Sequence, residues 1–262
     1  MEINKIYTEN CLDTMAKMDD NFIDLTVTSP PYDGLRTYNG YSFDFESVAK
    51  ELFRITKDGG VVVWIVGDAT IKGSESGTSF KQALFFKEIG FNLLDTMIWN
   101  KGTFTAVGAL TSMYAPVFEY MFVVTKGKSK TFNPIKDKKN KTFGKKHHGT
   151  IRQKDGSTKP LNAIGKKINQ YGQRYNIWEI SPEKRNNHRL HPAMFPEQLA
   201  NDHILSWSNE NDLVYDPFMG SGTTAKMAIL NNRNYIGSEI SKDYVEIANK
   251  RLTTYLTQTK LL

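Results

Sequence analysis

Leu213-Val214-Tyr215-Asp216-Pro217-Phe218-Met219-Gly220-Ser221-Gly222-Thr223-Thr224 starts as an apolar run, passes through glycines and leads into Ala225–Leu230, which has helical spacing. The pattern predicts a strand, a glycine turn and a helix. Glycines at such a junction let the backbone come close to a ligand. A phosphate reading fails on details, because there is no Gly-Lys-Ser/Thr and the spacing is not Gly-x-Gly-x-x-Gly. Asp216 at the strand end suits a cationic or amino-bearing ligand better than a phosphate. Further on, Glu239 ends the run Tyr235-Ile236-Gly237-Ser238. In a nucleotide-binding βαβ unit, an acid at that point bonds ribose hydroxyls. Standing alone, the stretch also admits a generic nucleotide-binding turn or a purely structural one.

Outward from this stretch, the same alternation recurs. Strands are expected at Phe22–Thr28, Val61–Val66, Leu93–Trp99, Phe118–Thr125, Leu213–Asp216 and Tyr235–Glu239. Helices are expected at Leu12–Met18, Phe45–Ile55, Ser79–Ile89, Pro196–Trp207, Thr223–Leu230 and Asp243–Tyr255. Such alternation predicts an α/β fold with a mainly parallel sheet covered on both faces. With 262 residues, 39% hydrophobic and 12% aromatic, the chain can bury a large core.

The exception is the middle of the chain. Residues 126–175 carry fifteen Lys/Arg against Asp137 and Asp155, leaving 19 basic and 26 acidic residues elsewhere. The overall charge of +6 therefore comes from this one segment. Apolar residues there are sparse and without period, which predicts a loop-rich insertion (126–175) splitting one domain (1–125 and 176–262). A positive field this dense favours a polyanion, although a solvated lysine-rich loop has the same composition. His147-His148, without nearby carboxylates or cysteine, belongs to this polar surface rather than to a metal site, and no metal is expected. The longest apolar stretch, Val61–Val66, is far too short for a membrane span, and the N-terminus has no secretory h-region. The single cysteine, Cys11, excludes an internal disulfide and a cysteine-based zinc site, and fits a reducing cytoplasm.

A second motif, Thr28-Ser29-Pro30-Pro31-Tyr32, follows the apolar run Asp24-Leu25-Thr26-Val27. Open α/β sheets place their sites at such C-terminal strand ends. Each proline fixes its own φ and restricts the residue before it, so Ser29 and Pro30 are held extended. An exocyclic amino group is a poor nucleophile, because its lone pair is delocalised into the ring. The Ser29 hydroxyl and Pro30 carbonyl could accept its two hydrogens and turn that lone pair toward a methyl donor. Tyr32 could stack on the base. A structural Pro-Pro turn is the plainer alternative.

Together the two motifs resemble the amino-group DNA methyltransferases of type II restriction–modification systems. Ser29-Pro30-Pro31-Tyr32 is similar to their catalytic motif, and Asp216 to Thr224 to their S-adenosylmethionine loop. The order, catalytic motif first and cofactor loop last with a basic segment between, resembles the β-class permutation. Asn10-Cys11-Leu12 resembles the Asp-Cys-Leu stretch that meets the cofactor adenine, with Asn in place of Asp. His191-Pro192-Ala193-Met194-Phe195-Pro196 resembles the His-Pro-x-x-Phe-Pro element near the methionine end of the cofactor, and Gly237-Ser238-Glu239-Ile240 the Gly-x-Glu strand. Met97–Lys101 and Glu119–Phe122 resemble structural strands of that fold.

The resemblance implies the methyltransferase fold, with a seven-stranded, mostly parallel sheet, one antiparallel strand, and a basic target-recognition insertion. It implies Ser29, Pro30, Pro31 and Tyr32 as catalytic residues. It implies Asn10, Cys11, His191, Pro192, Phe195, Asp216, Pro217, Phe218, Gly220, Ser221, Gly222, Thr223, Thr224, Glu239 and Ile240 as residues binding S-adenosylmethionine. The expected partner is duplex DNA, its phosphates held by Lys138, Lys139, Lys145, Lys146, Arg152, Lys166, Lys167 and Arg174. Gln153, Asn162, Asn169, Gln170 and Gln173, with Arg152 and Arg174, have side chains able to read base edges. A cognate restriction endonuclease is a further partner the resemblance allows, and the chain is expected as a monomer or homodimer.

The expected reaction is direct in-line transfer to a flipped-out base, with no covalent intermediate. Cys11 lies away from the Pro-Pro motif, which argues against the carbon-5 reaction. Ser-Pro-Pro-Tyr in the family goes mainly with cytosine N4, and Asp-Pro-Pro-Tyr more often with adenine N6. Cytosine N4 is therefore the expected target, with adenine N6 as the alternative. Rival readings are a non-catalytic nucleic-acid-binding protein on the same scaffold, and an RNA or protein methyltransferase.

Overall fold

The computed structural model describes residues 1–31, 44–103, 114–182 and 196–258, the side chains of 256–258 excepted. In chain order the elements begin with β1 (Lys5–Tyr7), α1 (Cys11–Met15), β2 (Ile23–Thr28), α2 (Phe45–Ile55) and β3 (Thr56–Val66). A small hairpin, β4 (Thr70–Ile71) and β5 (Ser74–Glu75), precedes α3 (Thr78–Glu88), β6 (Asn92–Asn100) and β7 (Phe118–Thr125). Next come β8 (Lys138–Lys139), β9 (Thr150–Arg152), β10 (Thr158–Pro160), β11 (Tyr171–Gly172) and β12 (Ile177–Glu179). The chain closes with α4 (Glu197–Trp207), β13 (Leu213–Asp216), α5 (Thr223–Leu230), β14 (Asn234–Ser238) and α6 (Lys242–Gln258).

The main sheet has the order β1-β14-β13-β2-β3-β7-β6-β12. Among the described residues only β7 runs against its neighbours; every other pairing in the sheet is parallel. This is the expected mostly parallel sheet with one reversed strand, but the described residues give it eight strands rather than seven. The additional edge strand β12 pairs with β6 through Ile177↔Ile98 and Trp178↔Trp99. Both β1 and β12 are three residues long, too short to carry a periodic signal of their own.

The central strand β3 shows why the order of residues produces this architecture. Val61, Val63 and Ile65 join one core cluster with Leu199, Ile204, Ala225 and Leu252 from α4, α5 and α6. Val62, Trp64 and Val66 join the opposite cluster with Met15, Leu52 and Phe86 from α1, α2 and α3. Alternate residues of a strand point to opposite faces, so a continuous apolar run requires cover on both. The indole N–H of Trp64 is satisfied inside by the Gln82 side chain at 2.8 Å.

Residues 134–175 form a separate compact unit. Within it β8 pairs with β11 and β9 with β10, both antiparallel. No residue of this unit is among the buried core residues. The expected insertion began at Lys126, but the first eight residues of that span pack with the sheet unit. The Gly59 amide donates to the Lys126 carbonyl at 2.6 Å, the Lys130 amide to the Gly59 carbonyl at 3.1 Å and the Asn133 amide to the Ser206 carbonyl at 2.8 Å. Phe132 stacks on Trp207 with centroids 4.7 Å apart. A run of lysines shows where charge lies, not which backbone it belongs to.

Candidate active site at the strand ends

Strands β1, β14, β13 and β2 are parallel neighbours, so their C-terminal ends line one edge of the sheet. The residues leaving that edge are the two sequence motifs and their satellites. Asp216, 1% exposed, joins them. One carboxylate oxygen accepts from the Thr28 hydroxyl at 2.7 Å and from the Phe218 amide at 3.0 Å; the other accepts from the Thr224 hydroxyl at 2.7 Å. Thr224 also reaches the Val27 carbonyl at 3.3 Å. Residues 188 positions apart are thus bonded directly, one place before Ser29.

Burial pushes the Asp216 carboxyl up to about 6, against the bonds from Thr224, Thr28 and the Phe218 amide, while nearby Glu239 adds to the rise. Asp216 was expected to meet an amino-bearing ligand. Its enclosure and its three internal donors make it the tie between the two turns. Thr28, quoted with the motif but not counted among the site residues, turns out to be its partner. Ser29 and Pro31 are half-buried and Pro30 is buried. Tyr32 lies outside the described residues, as do His191, Pro192 and Phe195.

The glycine loop runs over the end of β14. Gly220 and Gly222 have φ of 51° and 82°, values that L side chains rarely adopt. A Cβ on Gly237 would come within 2.5 Å of the Met219 side chain, so only glycine lets the loop pass this close. Glu239 closes the loop from the neighbouring strand. Its carboxylate accepts the Gly220 amide at 2.9 Å and the Ser241 amide at 2.8 Å. Burial raises its pKa, opposed by these amides. The Ser221 hydroxyl is buried and has no partner among the described residues. Pro217, Thr223 and Thr224 are interior, Phe218 is half-buried with its ring 6.4 Å from Trp64, and Ile240 is 47% exposed.

β1 brings the remaining satellite to the same edge. The Glu239 amide donates to the Tyr7 carbonyl at 3.0 Å, just before Asn10. The Asn10 side chain caps α1 by accepting from the Leu12 amide at 2.9 Å, a role Asn and Asp share. Cys11, 2% exposed, packs in the core near Tyr215, so its thiol is turned away from solvent.

The basic candidates fall in the 134–175 unit. Lys139, Lys145, Lys146, Arg152, Lys166 and Lys167 are exposed. Two others have internal partners. Lys138 bonds the Tyr175 hydroxyl at 2.8 Å and lies over its ring. Arg174 donates to Asp137 at 2.9 Å, and this pairing holds the Asp137 carboxyl below its usual range. Among the described residues there is no cluster of metal-ligating side chains and no helix long and apolar enough to cross a membrane.

Comparison with known proteins shows the family and the fold. The DNA methylase family model for N6 and N4 enzymes matches residues 23–250. The orphan methyltransferase M.BamHII of Bacillus amyloliquefaciens is 58% identical over 245 residues, covering 90% of this chain and 91% of its own. Among solved structures, the PvuII DNA methyltransferase (cytosine-N4-specific) superposes with a TM-score of 0.69 at 20% identity, covering 98% of this chain and 93% of that one. The M1.HpyAVI–SAM complex superposes with a TM-score of 0.64 at 23% identity, covering 95% and 99%.

Proposed function

Since this chain belongs to the N6/N4 DNA methylase family and is thus a DNA amino-methyltransferase, we propose that it methylates the N4 amine of cytosine in duplex DNA, with S-adenosylmethionine as donor. The observation that carries the reading is the Asp216 tie, which joins the Ser-Pro-Pro turn and the glycine loop at one strand edge.

The residues at that edge suit the donor. The loop has two left-handed glycines for close backbone approach, an orphaned buried hydroxyl at Ser221 and an acid at the end of the next strand. The Glu239 oxygens accept the Gly220 and Ser241 amides and keep acceptor capacity for a ribose hydroxyl. The donor would supply a methyl group on a sulfonium, which leaves as the neutral thioether; the methylated amine then loses its extra proton to water, so no side chain has to act as a strong base.

The chain's own part is positioning. The Ser29 hydroxyl and Pro30 carbonyl accept the two hydrogens of the amine and aim its lone pair; Tyr32 stacks on the base after it leaves the duplex. Exposed lysines of the 134–175 unit hold phosphates, which makes binding salt-sensitive. Supporting cytosine over adenine is Ser29, a neutral acceptor at a position where the adenine enzymes of the family more often have a carboxylate.

Duplexes built only of G·C or only of A·T pairs, incubated with methyl-labelled donor, test the choice. Label is expected in the G·C duplexes; label confined to A·T duplexes would make this an adenine-N6 enzyme. Because a defined site is needed, a random-sequence library digested to nucleosides is the companion measurement, with N4-methylcytosine as the expected product.

A further inference from the structure

Arg251, on α6, reaches the glycine loop from a helix that the sequence motifs do not include. Its guanidinium donates to the Ser221 carbonyl at 3.0 Å and the Thr223 hydroxyl at 3.2 Å, and its other terminal nitrogen donates to Glu197. Glu197, the first residue of α4, accepts at the same oxygen from Lys226 of α5 at 2.6 Å. The Arg251 and Lys226 side chains are 14% and 12% exposed and that of Glu197 is 36% exposed, so two largely enclosed cations share one partly exposed carboxylate across three helices. Burial alone would raise the Glu197 carboxyl, but the bonds from Lys226 and Arg251 outweigh it and hold it low.

Glu239 anchors the loop at the Gly220 amide, and Arg251 restrains its Ser221–Thr223 side. Two glycines in left-handed conformation flank Ser221, and the N-terminus of α5 has no side-chain cap. A glycine-flanked turn has many accessible conformations in the absence of an external anchor. A guanidinium suits the task, because its planar fork can bind the loop with one nitrogen and its own anchor with another.

We propose that Arg251, held by Glu197, is a positioning residue that preorders the glycine loop for S-adenosylmethionine without contacting it. This rests on the cofactor reading above. A preordered loop binds the donor equally in ground and transition states, so the effect falls on affinity rather than on turnover.

The test uses the full chain as wild type, Arg251→Ala, Arg251→Lys and Glu197→Gln. S-adenosylmethionine affinity is measured by calorimetry, kcat at saturating donor and duplex, and folding by thermal melt. Arg251→Ala is expected to weaken donor binding about tenfold, with kcat within about twofold. Arg251→Lys should fall between, because one ammonium cannot reproduce the fork, and Glu197→Gln should lose less. If Arg251→Ala does not fold, Arg251→Lys against wild type decides. Unchanged affinity in a folded Arg251 variant, or a fall in kcat with affinity intact, overturns the positioning role. A wild type that does not bind the donor at all overturns the cofactor reading, and this would be seen before any variant is compared.

Discussion

Trp64 and Lys139 represent two ways of building a protein surface and its interior. Trp64 is wholly buried in the middle of β3, hydrogen-bonded to Gln82 and edge-on to Phe86 at 5.3 Å. Lys139 is exposed on a two-residue strand paired only with Tyr171. The sheet unit draws its stability from apolar area removed from water on both faces. The 134–175 unit has no buried core residue and is held by short antiparallel pairings and the Arg174–Asp137 ion pair. One unit is organised around what it excludes, the other around the charge it displays.

Trp64→Ala should give the largest effect, a loss of about 3–5 kcal/mol in urea unfolding, as expected for truncating a buried large aromatic. Lys139→Ala should stay within about 0.5 kcal/mol. Equal losses would mean that the basic unit folds cooperatively with the sheet and that the contrast is false.

Ser29→Ala should lower kcat by roughly 10²-fold with donor affinity nearly unchanged, as for losing one positioned polar group at a reacting centre. A matching loss of affinity would make Ser29 structural.

Asp216 tests the interior of the site through pH. Its carboxyl titrates near 6 in the folded chain, above its ordinary value of 3.8, so the folded state holds this proton more tightly than the unfolded state. The Asp216 contribution therefore favours folding most at low pH. Its stability contribution falls as pH rises from about 4 to about 6, by at most about 1.4 kcal/mol per unit, and is level above that. Relative to Asp216→Asn, which has no titrating group there, the wild type should lose stability across that window. A difference independent of pH would show that Asp216 has its ordinary pKa.

The smallest effects belong to the exposed lysines. Neutralising Lys139 and Lys145 together should flatten the slope of log K against log salt by up to about 2, near 0.9 for each phosphate no longer neutralised. An unchanged slope would mark them as merely solvated.

These contrasts also explain what the residues alone disclose. Phe45–Ile55 and Thr223–Leu230 fall where their apolar spacing and flanking residues put them. The glycine turn was legible because only glycine fits its backbone. Lys5–Tyr7 and Ile177–Glu179 were not legible, since three residues cannot declare a period and their pairing is decided by strands far along the chain. Asp216 is legible as a site residue, but its bond to Thr28 is not, because that partner is distant in sequence. Arg251 and Glu197 carry no local mark at all; the link between them exists only once three helices have packed. The basic segment was visible as charge, but the internal pairings of Lys138 and Arg174 were not.

A crystal structure of the protein with S-adenosylmethionine measures the central claim most directly. The account predicts ribose hydroxyls on Glu239, the methionine portion against Gly220–Gly222, and the methyl carbon directed toward Ser29 and Pro30. A donor bound elsewhere, or one whose methyl group faces away from the Ser-Pro-Pro turn, would contradict it.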